Sequence, residues 1–198
     1  MKKVIMSGNE AMARGAYEAG CHIASAYPGT PSTEILENFA LYEDVYAEWA
    51  PNEKVGFEVA SGASIGGARA LTTMKHVGLN VAADPLFTMA YEGVNGGFVV
   101  ITADDPGMHS SQNEQDNRFY APHAKVAMIE PSDSQECLDY MKEAYEISEK
   151  FDTLVLFRVT TRVCHSKTVL ELGERKPVEV RPYEKDIKKY IMTPNHSK

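Results

Sequence analysis

The stretch "GGFVVITADDPG", residues 96–107, holds the clearest strand of the sequence. Its centre is apolar and β-branched, and it lies between a Gly-Gly pair and an Asp-Pro-Gly turn signal. Other apolar runs, which alternate with helical patterns, predict strands within residues 21–26, 54–59, 72–77, 124–130 and 153–160. This alternation is typical of the α/β class, and we predict a doubly wound, mostly parallel sheet with helices on both faces.

Helix-start signals and a change of composition divide the chain. Ser7 with Glu10, and Ser132 with Gln135, match the spacing of a capping box and predict the first turns of two helices. Residues 1–172 carry the alternating pattern and are predicted to form one α/β domain. From Gly173 the sequence is polar, charged and without period, which indicates a tail or linker over residues 173–198.

Composition narrows the classes of partner. The 198 residues carry a formal net charge of -8, which argues against nucleic acid, because phosphate binding requires a basic face. No apolar run approaches a membrane span, and the first residues lack the apolar core of a signal peptide, so we expect no membrane association. Three widely spaced cysteines without a CxxC pair predict reduced thiols in a cytoplasmic protein.

Ligands of such sheets bind at the carboxyl ends of the strands, which directs attention to residues 27–33, 58–63, 76–80 and 104–118. In "YPGTPST", Pro28 and Gly29 predict a tight turn, Thr30 suits the N-cap of a helix, and Pro31 suits its first position. A helix N-terminus with these hydroxyls could bind a carboxylate or phosphate. The alternative is capping without a ligand.

Glu58 is the second candidate. In "GFEVASGAS" the predicted strand runs into a helix rich in small residues, which would place Glu58 at the junction, partly removed from water. A carboxylate there can share a proton with a ligand nitrogen. The alternative is a glutamate that only favours the positive end of the helix dipole.

The segment 103–118, "ADDPGMHSSQNEQDNR", is the most polar loop and directly follows the best strand. His109 beside Ser110 and Ser111 resembles a base with a nucleophile, but the GxSxG elbow of hydrolases is absent. Arg118 could pair with a substrate carboxylate, or with Asp116 or Glu114. The signatures GxGxxG and GxxxxGK[ST] of dinucleotide and nucleotide sites are also absent.

Long strings of the sequence resemble a known family. "GNEAMARGAYEAG", "AYPGTPSTEI", "EVASGASIGGARAL", "MKHVGLNVAADP" and "DDPGMHSSQNEQDNR" are similar to the thiamine diphosphate-dependent 2-oxoacid:ferredoxin oxidoreductases. The last two strings resemble the aryl-pyruvate branch, the alpha subunit of indolepyruvate:ferredoxin oxidoreductase. The resemblance covers residues from about 5 to 190 and implies the fold of the pyrimidine-binding domain.

The resemblance also implies roles for individual residues. Glu58 matches the glutamate that hydrogen-bonds the aminopyrimidine ring and favours the tautomer that takes the proton from the thiazolium C2. Thr30 matches a threonine near the substrate carboxylate, with Gly29 beside it at the cofactor. Arg118 and His109 are carried over as substrate contacts. The implied activity is oxidative decarboxylation of aryl pyruvates to aryl-acetyl-CoA, with ferredoxin as electron acceptor.

Two family features are absent from the sequence. It has no GDG motif for magnesium and diphosphate and no cysteine clusters for 4Fe-4S centres, so we expect these on further alpha-subunit domains or a partner subunit. The chain would then hold half of the cofactor site, be inactive alone and form a homodimer. Two alternatives stay open: a pyruvate, 2-oxoglutarate or branched-chain 2-oxoacid substrate, or a non-catalytic assembly domain.

Overall fold

The computed structural model of the chain describes residues 2–191 and 193–196. Within them, a six-stranded sheet has the order β3-β2-β4-β5-β7-β6, and every neighbouring pair is parallel. The strands are β2 (Ile23–Ala26), β3 (Tyr46–Trp49), β4 (Ala70–Lys75), β5 (Phe98–Asp104), β6 (Ala127–Ile129) and β7 (Val155–Thr160). The predicted doubly wound α/β fold is confirmed, and β5 is buried along its whole length, as its apolar sequence predicts.

Helices cover both faces of the sheet. The helices are α1 (Gly8–Glu18), α2 (Thr33–Phe39), α3 (Glu53–Ile65), α4 (His76–Val81), α5 (Ala83–Glu92), α6 (Tyr120–Ala124), α7 (Ser134–Phe151), α8 (Thr161–His165) and α9 (Ile187–Tyr190). The core of one face joins α1, α2 and α7 to the sheet. The core of the other face joins α3, α4, α5 and α6, so alternate residues of β5 point into different cores.

A two-stranded antiparallel ribbon lies outside the main sheet and was not predicted. It pairs β1 (Lys2–Ser7) with β8 (Lys167–Leu172), residues that are far apart in sequence. Neither strand is a long apolar run, because one face of the ribbon is solvated: Ile5 and its cross-strand partner Val169 are exposed.

The prediction of a strand over residues 54–59 is wrong, because this segment forms the first half of α3. Val55, Phe57 and Val59 alternate with other residues and imitate a strand, but the buried positions Phe57, Ala60 and Ser64 follow the helical period. The Asn52 side chain accepts a hydrogen bond from the Val55 N–H at 3.0 Å and caps the helix. Residues 58–63 are therefore helix, and not a loop at the end of a strand.

The two predicted capping boxes have different outcomes. The box of Ser7 and Glu10 is confirmed, with reciprocal hydrogen bonds of 3.2 and 2.6 Å. The second is wrong by one residue, because Asp133 caps α7 by accepting from the Glu136 N–H at 2.9 Å. Glu136 in turn accepts from the Ser132 N–H, so Ser132 helps to start the helix without capping it.

The segment after β8 lies along the amino ends of the parallel strands. Its backbone N–H groups at Lys176 and Arg181 donate to the carbonyls of Glu18 and Gly67, at 2.9 and 3.0 Å. Gly67 has a φ of +97°, and a Cβ there would stand 1.9 Å from the Arg181 carbonyl oxygen. Only glycine lets the segment after β8 pass this close to residue 67. Residues 192, 197 and 198 of the predicted tail lie outside the described residues.

Candidate functional site

The carboxyl edge of the sheet has its topological switch point between β2 and β4. From β2 the chain moves to β3 on one side, and from β4 it moves to β5 on the other, which opens a crevice between the two strand ends. Gly29, in the loop after β2, packs against the last residue of β4: a Cβ at Gly29 would stand 3.1 Å from Lys75 Cδ. The sequence-predicted loop 27–33 therefore lies where α/β folds bind ligands.

The interior of this loop differs from the prediction. Helix α2 begins at Thr33, and the N-cap position belongs to Ser32, so the assignment of Thr30 as N-cap and Pro31 as first helical residue is wrong. The reason is an earlier turn, in which the Gly29 carbonyl accepts from both the Ser32 N–H and the Ser32 hydroxyl, each at 2.9 Å. Among the described residues Thr30 has no hydrogen-bond partner, and its side chain is exposed at the crevice.

Lys75 joins two of the predicted loops. Its stem lies beside Gly29, and its Nζ donates to the Ser110 carbonyl at 2.7 Å. The loop 105–116 is thereby held against the loop 27–32, with an ammonium group between them. Sequence reasoning missed Lys75, because the strand predicted within residues 72–77 placed it inside the strand, whereas β4 ends at Lys75 and His76 begins α4.

Glu58 lies in the second turn of α3 and not at a strand end. Its carboxylate is 52% exposed and stands 4.0 Å from Lys54 Nζ, which itself pairs with Asp84 at 2.8 Å. The prediction that Glu58 is partly removed from water is wrong for this chain, because Glu58 faces away from the core that Phe57 and Ala60 enter.

The turn that carries Glu58 is nevertheless close to the predicted loop. A Cβ at Gly56 would meet the Ala26 backbone at 3.4 Å, so this part of α3 packs on the last residue of β2. One turn after Glu58, Gly62 is exposed and a Cβ there would have no neighbour within 4 Å. Glu58 lies two positions after Gly56, about 200° around the helix, and so stands with Gly62 on an exposed face of α3 that differs from the face packed on the end of β2.

Asp105 fixes the start of the loop after β5. Its carboxylate accepts from the Ser110 N–H at 2.7 Å, the Ser111 hydroxyl at 2.9 Å and the Thr161 hydroxyl at 2.7 Å. Burial opposes the charged form, but these hydrogen bonds prevail and lower the pKa of Asp105 to about 2. The Ser111 hydroxyl is thus engaged by Asp105, whereas His109 is exposed with its ring near Gly107.

A buried cluster behind the loop was not anticipated. The Asn117 side chain donates to Thr102 Oγ1 at 2.6 Å, and its N–H donates to Asp104 Oδ2 at 3.1 Å. Asp104 is fully buried and also pairs with Arg158 at 2.8 Å. Burial raises the pKa of Asp104, and Arg158 and the Asn117 N–H counteract this. Asn117 resembles any polar loop residue in sequence, so only the fold reveals its burial.

Arg118 directly follows the buried Asn117 in the chain and pairs with Asp116. Its Nε donates to Asp116 Oδ1 at 2.8 Å and its Nη2 to Asp116 Oδ2 at 2.7 Å, which answers the question that the sequence left open. The guanidinium lowers the pKa of Asp116 to about 2. Glu114 accepts from the Gly107 N–H instead. Arg118 is exposed, so a bound carboxylate could replace Asp116 at low cost.

The described part of the chain gives little support for a metal site, a reactive cysteine or a membrane-spanning helix. No group of three or more His, Cys, Asp or Glu side chains there could hold a metal ion. The cysteines Cys21, Cys137 and Cys164 are buried free thiols, and burial raises the pKa of Cys21 to about 11 and that of Cys137 to about 12. No helix of residues 2–191 and 193–196 is long and apolar enough to cross a membrane.

A depression of about 840 Å³ lies at the other edge of the sheet, beside α7 and Arg69. Arg69 directly precedes β4, pairs with Glu149 at 2.7 Å and serves the structure of this edge. Since ligands of parallel sheets bind at the carboxyl ends, we place the candidate site at the crevice of Gly29, Thr30 and Lys75 with Glu58 beside it.

The fold and this crevice define an α/β ligand-binding domain. A family model described as "Pyruvate flavodoxin/ferredoxin oxidoreductase, thiamine diP-bdg" matches residues 14–197. The chain therefore belongs to this family of thiamine diphosphate-binding oxidoreductase domains, and the recognised resemblance is confirmed.

Relatives refine the position within the family. The chain is 56% identical over 180 residues to "Indolepyruvate oxidoreductase subunit IorA" of Archaeoglobus fulgidus, covering 87% of this chain and 29% of that protein. It is 49% identical to the protein of the same name from Methanothermobacter marburgensis, covering 97% and 32%. "2-oxoglutarate synthase subunit KorA" of Methanothermobacter thermautotrophicus is 27% identical, covering 91% and 50%. The chain spans about a third of the indolepyruvate relatives.

A solved structure supports the fold. The "2-oxoglutarate:ferredoxin oxidoreductase from Magnetococcus marinus with 2-oxoglutarate, coenzyme A and succinyl-CoA bound" superposes with a TM-score of 0.79 at 20% identity. The alignment covers 91% of this chain and 33% of that one.

Proposed function

We propose that this chain binds the aminopyrimidine of thiamine diphosphate in an indolepyruvate:ferredoxin oxidoreductase. The assembled enzyme oxidatively decarboxylates aryl pyruvates to aryl-acetyl-CoA and carbon dioxide, and transfers the electrons to ferredoxin. The substrate class rests on the relatives, which are 45–56% identical where they are named for indolepyruvate and 26–27% identical where they are named for 2-oxoglutarate.

The observation that carries the proposal is the place of Glu58. Its exposed carboxylate stands on α3, which packs through Gly56 on the end of β2, the strand end from which the loop of Gly29 and Thr30 leaves. Its nearest cation, Lys54, is 4.0 Å away and paired with Asp84, so the carboxylate is available to a ring nitrogen. Gly62 leaves the space one turn further open for a cofactor or a neighbouring domain.

These residues fit the pyrimidine half of the cofactor site. When bound, thiamine diphosphate would supply the nucleophilic carbon and the electron sink that decarboxylation of a 2-oxoacid requires. Glu58 holds a proton at the pyrimidine ring nitrogen, and a second domain that covers this face excludes water from the bond. Gly29 would contact the cofactor only through its backbone, since the Lys75 stem occupies the space where its side chain would lie.

The substrate carboxylate is proposed to lie at the crevice. The Thr30 hydroxyl, which has no partner among the described residues, donates to it, and Lys75 supplies positive charge at the same edge. Arg118 exchanges Asp116 for the substrate, and His109, exposed in the same loop, is a further candidate contact. A carboxylate gains charge-assisted hydrogen bonds from each of these donors.

Because this chain would hold only half of the cofactor site, we assign the other parts of the enzyme to further domains and subunits. Magnesium, the diphosphate groups and the 4Fe-4S clusters are assigned to further alpha-subunit domains and a partner subunit, with CoA and ferredoxin as co-substrates. We propose a homodimer of the alpha subunit in the cytoplasm and expect no turnover from this chain alone. A non-catalytic assembly domain is the competing function, but it gives no reason for a free carboxylate at Glu58.

The test is reconstitution with the remaining domains, the partner subunit, thiamine diphosphate, magnesium and CoA. Reduction of a dye is followed with indolepyruvate, pyruvate and 2-oxoglutarate in turn. The proposal predicts that indolepyruvate has the highest kcat/KM and that Glu58→Gln lowers kcat by roughly a hundredfold or more. Glu143→Gln, at an exposed glutamate on α7, is the matched control and leaves kcat unchanged.

Preference for another 2-oxoacid would correct the substrate and keep the cofactor role. A well-assembled enzyme that reduces the dye with none of the three acids would favour the non-catalytic domain.

A further inference from the structure

Aromatic side chains gather beside the candidate carboxylate-binding arginine. The Phe87 ring on α5 meets the His123 ring edge-on, with centroids 4.9 Å apart, and the Tyr120 ring at 6.4 Å. Phe119, the residue after Arg118, has 73% of its surface exposed. Exposed phenylalanine is costly in water, and four aromatic rings in one place exceed what scattered surface residues require.

These rings form an open depression next to the arginine. The depression measures about 340 Å³ and is lined by Gln115, Asp116, Asn117, Phe119, Tyr120 and His123. A second depression, of about 490 Å³, contains Arg118 and Arg158 and shares Gln115 and Asp116 with the first. An aromatic surface therefore shares a wall with one that carries Arg118 among other charged side chains, and both are within the size of ligand sites, roughly 300–1,000 Å³.

Hydrogen bonds hold the shared wall of the two depressions in place, and some of them are buried. Asn117 is buried and tied to Thr102, which fixes the chain directly before Arg118 and Phe119. The Asn80 amide donates to the Tyr120 hydroxyl at 2.8 Å and accepts from Gln115 Nε2 at 2.8 Å. A surface fixed in this way is preorganised, which lowers the entropy cost of binding.

We propose that this depression is the subsite for the aryl side chain of the 2-oxoacid, an inference that rests on the proposed function. The substrate carboxylate meets Arg118, and its aromatic ring packs against Phe119, Tyr120 and His123 across the shared wall. Aromatic rings prefer edge-to-face or offset contact, and an indole N–H adds a hydrogen bond that a benzene ring lacks. A charged side chain, such as that of 2-oxoglutarate, gains nothing from these rings.

The test compares two substrates on the reconstituted enzyme. Phe119→Ala removes an exposed ring without opening the core, and kcat/KM is measured with indolepyruvate and with pyruvate. The proposal predicts a loss of roughly tenfold with indolepyruvate and little change with pyruvate. Phe151→Ala, at another exposed phenylalanine, on α7 beside Arg69, is the matched control and changes neither value.

The other outcomes decide against the subsite. Equal losses with both substrates would show that Phe119 contacts another domain, and unchanged values would show that the ring is not used. These results leave the proposed function intact, because the wild-type enzyme still prefers indolepyruvate. If the wild type oxidises no aryl pyruvate, the proposed function fails and the subsite fails with it.

Discussion

Arg158 donates two hydrogen bonds, from Nε at 2.9 Å and from Nη2 at 2.8 Å, to the same carboxylate oxygen of Asp104. Both side chains are nearly or fully buried, at the ends of the neighbouring strands β7 and β5. The same oxygen accepts from the Asn117 N–H, and Glu130 pairs with the other side of the guanidinium. This ion pair therefore links the carboxyl ends of the central strands to the loop that carries Arg118.

Removal of Asp104 leaves the buried Arg158 with only part of its compensation. We expect Asp104→Ala to lower the free energy of unfolding by about 3 kcal/mol, because Arg158 would remain buried with only the partly exposed Glu130 as its ion-pair partner. Urea unfolding of the chain measures the effect. Glu171→Gln, which breaks an exposed pair with Lys3, is the control and should change stability by less than about 1 kcal/mol. A loss of similar size in both variants would contradict the structural role of the pair.

Asp105 gives the unfolding free energy a dependence on pH. Its pKa of about 2 lies below the ordinary value of 3.8, so the folded state favours the charged form. The contribution, roughly 2 kcal/mol, is fully present above pH 4 and is lost as the pH falls from about 4 toward 2. Asp105→Asn should thus be destabilised at neutral pH, and its difference from the wild type should shrink over this window. A constant difference down to pH 2 would exclude the assigned hydrogen bonds.

Gly62 and Gly15 both lie inside helices and differ in the space that is available for an added methyl group. A Cβ at Gly62 on α3 has open space, whereas one at Gly15 on α1 would stand 2.6 Å from the Leu138 carbonyl oxygen. We expect Gly62→Ala to stabilise the chain by about 0.5–1 kcal/mol through helix propensity and Gly15→Ala to destabilise it. In the reconstituted enzyme, Gly62→Ala should raise the KM for thiamine diphosphate, because the added methyl group enters the proposed interface. An unchanged KM would place the cofactor and the neighbouring domain elsewhere.

Arg118 is proposed to exchange Asp116 for the substrate carboxylate. A lysine cannot make the bidentate contact, so Arg118→Lys should raise the KM for indolepyruvate by about tenfold while it leaves folding intact. Steady-state kinetics of the reconstituted enzyme measure this, with Arg162→Lys at an exposed arginine of α8 as the control. The role would be refuted by a KM that stays at the wild-type value.

The fold class was predictable because β5 and β7 are apolar runs, and local pattern decides such strands, whereas the strand predicted within residues 72–77 lies two residues earlier, at β4. The start of α3 was not predictable, because Val55, Phe57 and Val59 fit a strand as well as a helix. The pairing of β1 with β8 joins residues more than 150 positions apart in the sequence, which no local window contains. The N-cap of α7 is Asp133 and not Ser132. Both residue types are good N-caps, so the sequence alone did not distinguish them.

The candidate site also contains residues that the sequence predicts and residues that it does not. The loop of Gly29 and Thr30 was predictable from its turn residues, and Glu58 was singled out on a mistaken strand. Lys75 and Asn117 were missed because their roles arise only when β4, β5 and the following loop meet at one edge. The pairing of Arg118 with Asp116 was one of the alternatives, and geometry alone selected it.

The central claim, that Glu58 acts on the pyrimidine ring, can be tested without substrate. The rate at which the C2 proton of bound thiamine diphosphate exchanges with deuterium is measured by acid quench and NMR in the reconstituted enzyme. The account predicts that Glu58→Gln slows this exchange by roughly a hundredfold or more while the cofactor still binds, and that Glu143→Gln has no effect. Exchange at the wild-type rate in Glu58→Gln, with full cofactor occupancy, would contradict it.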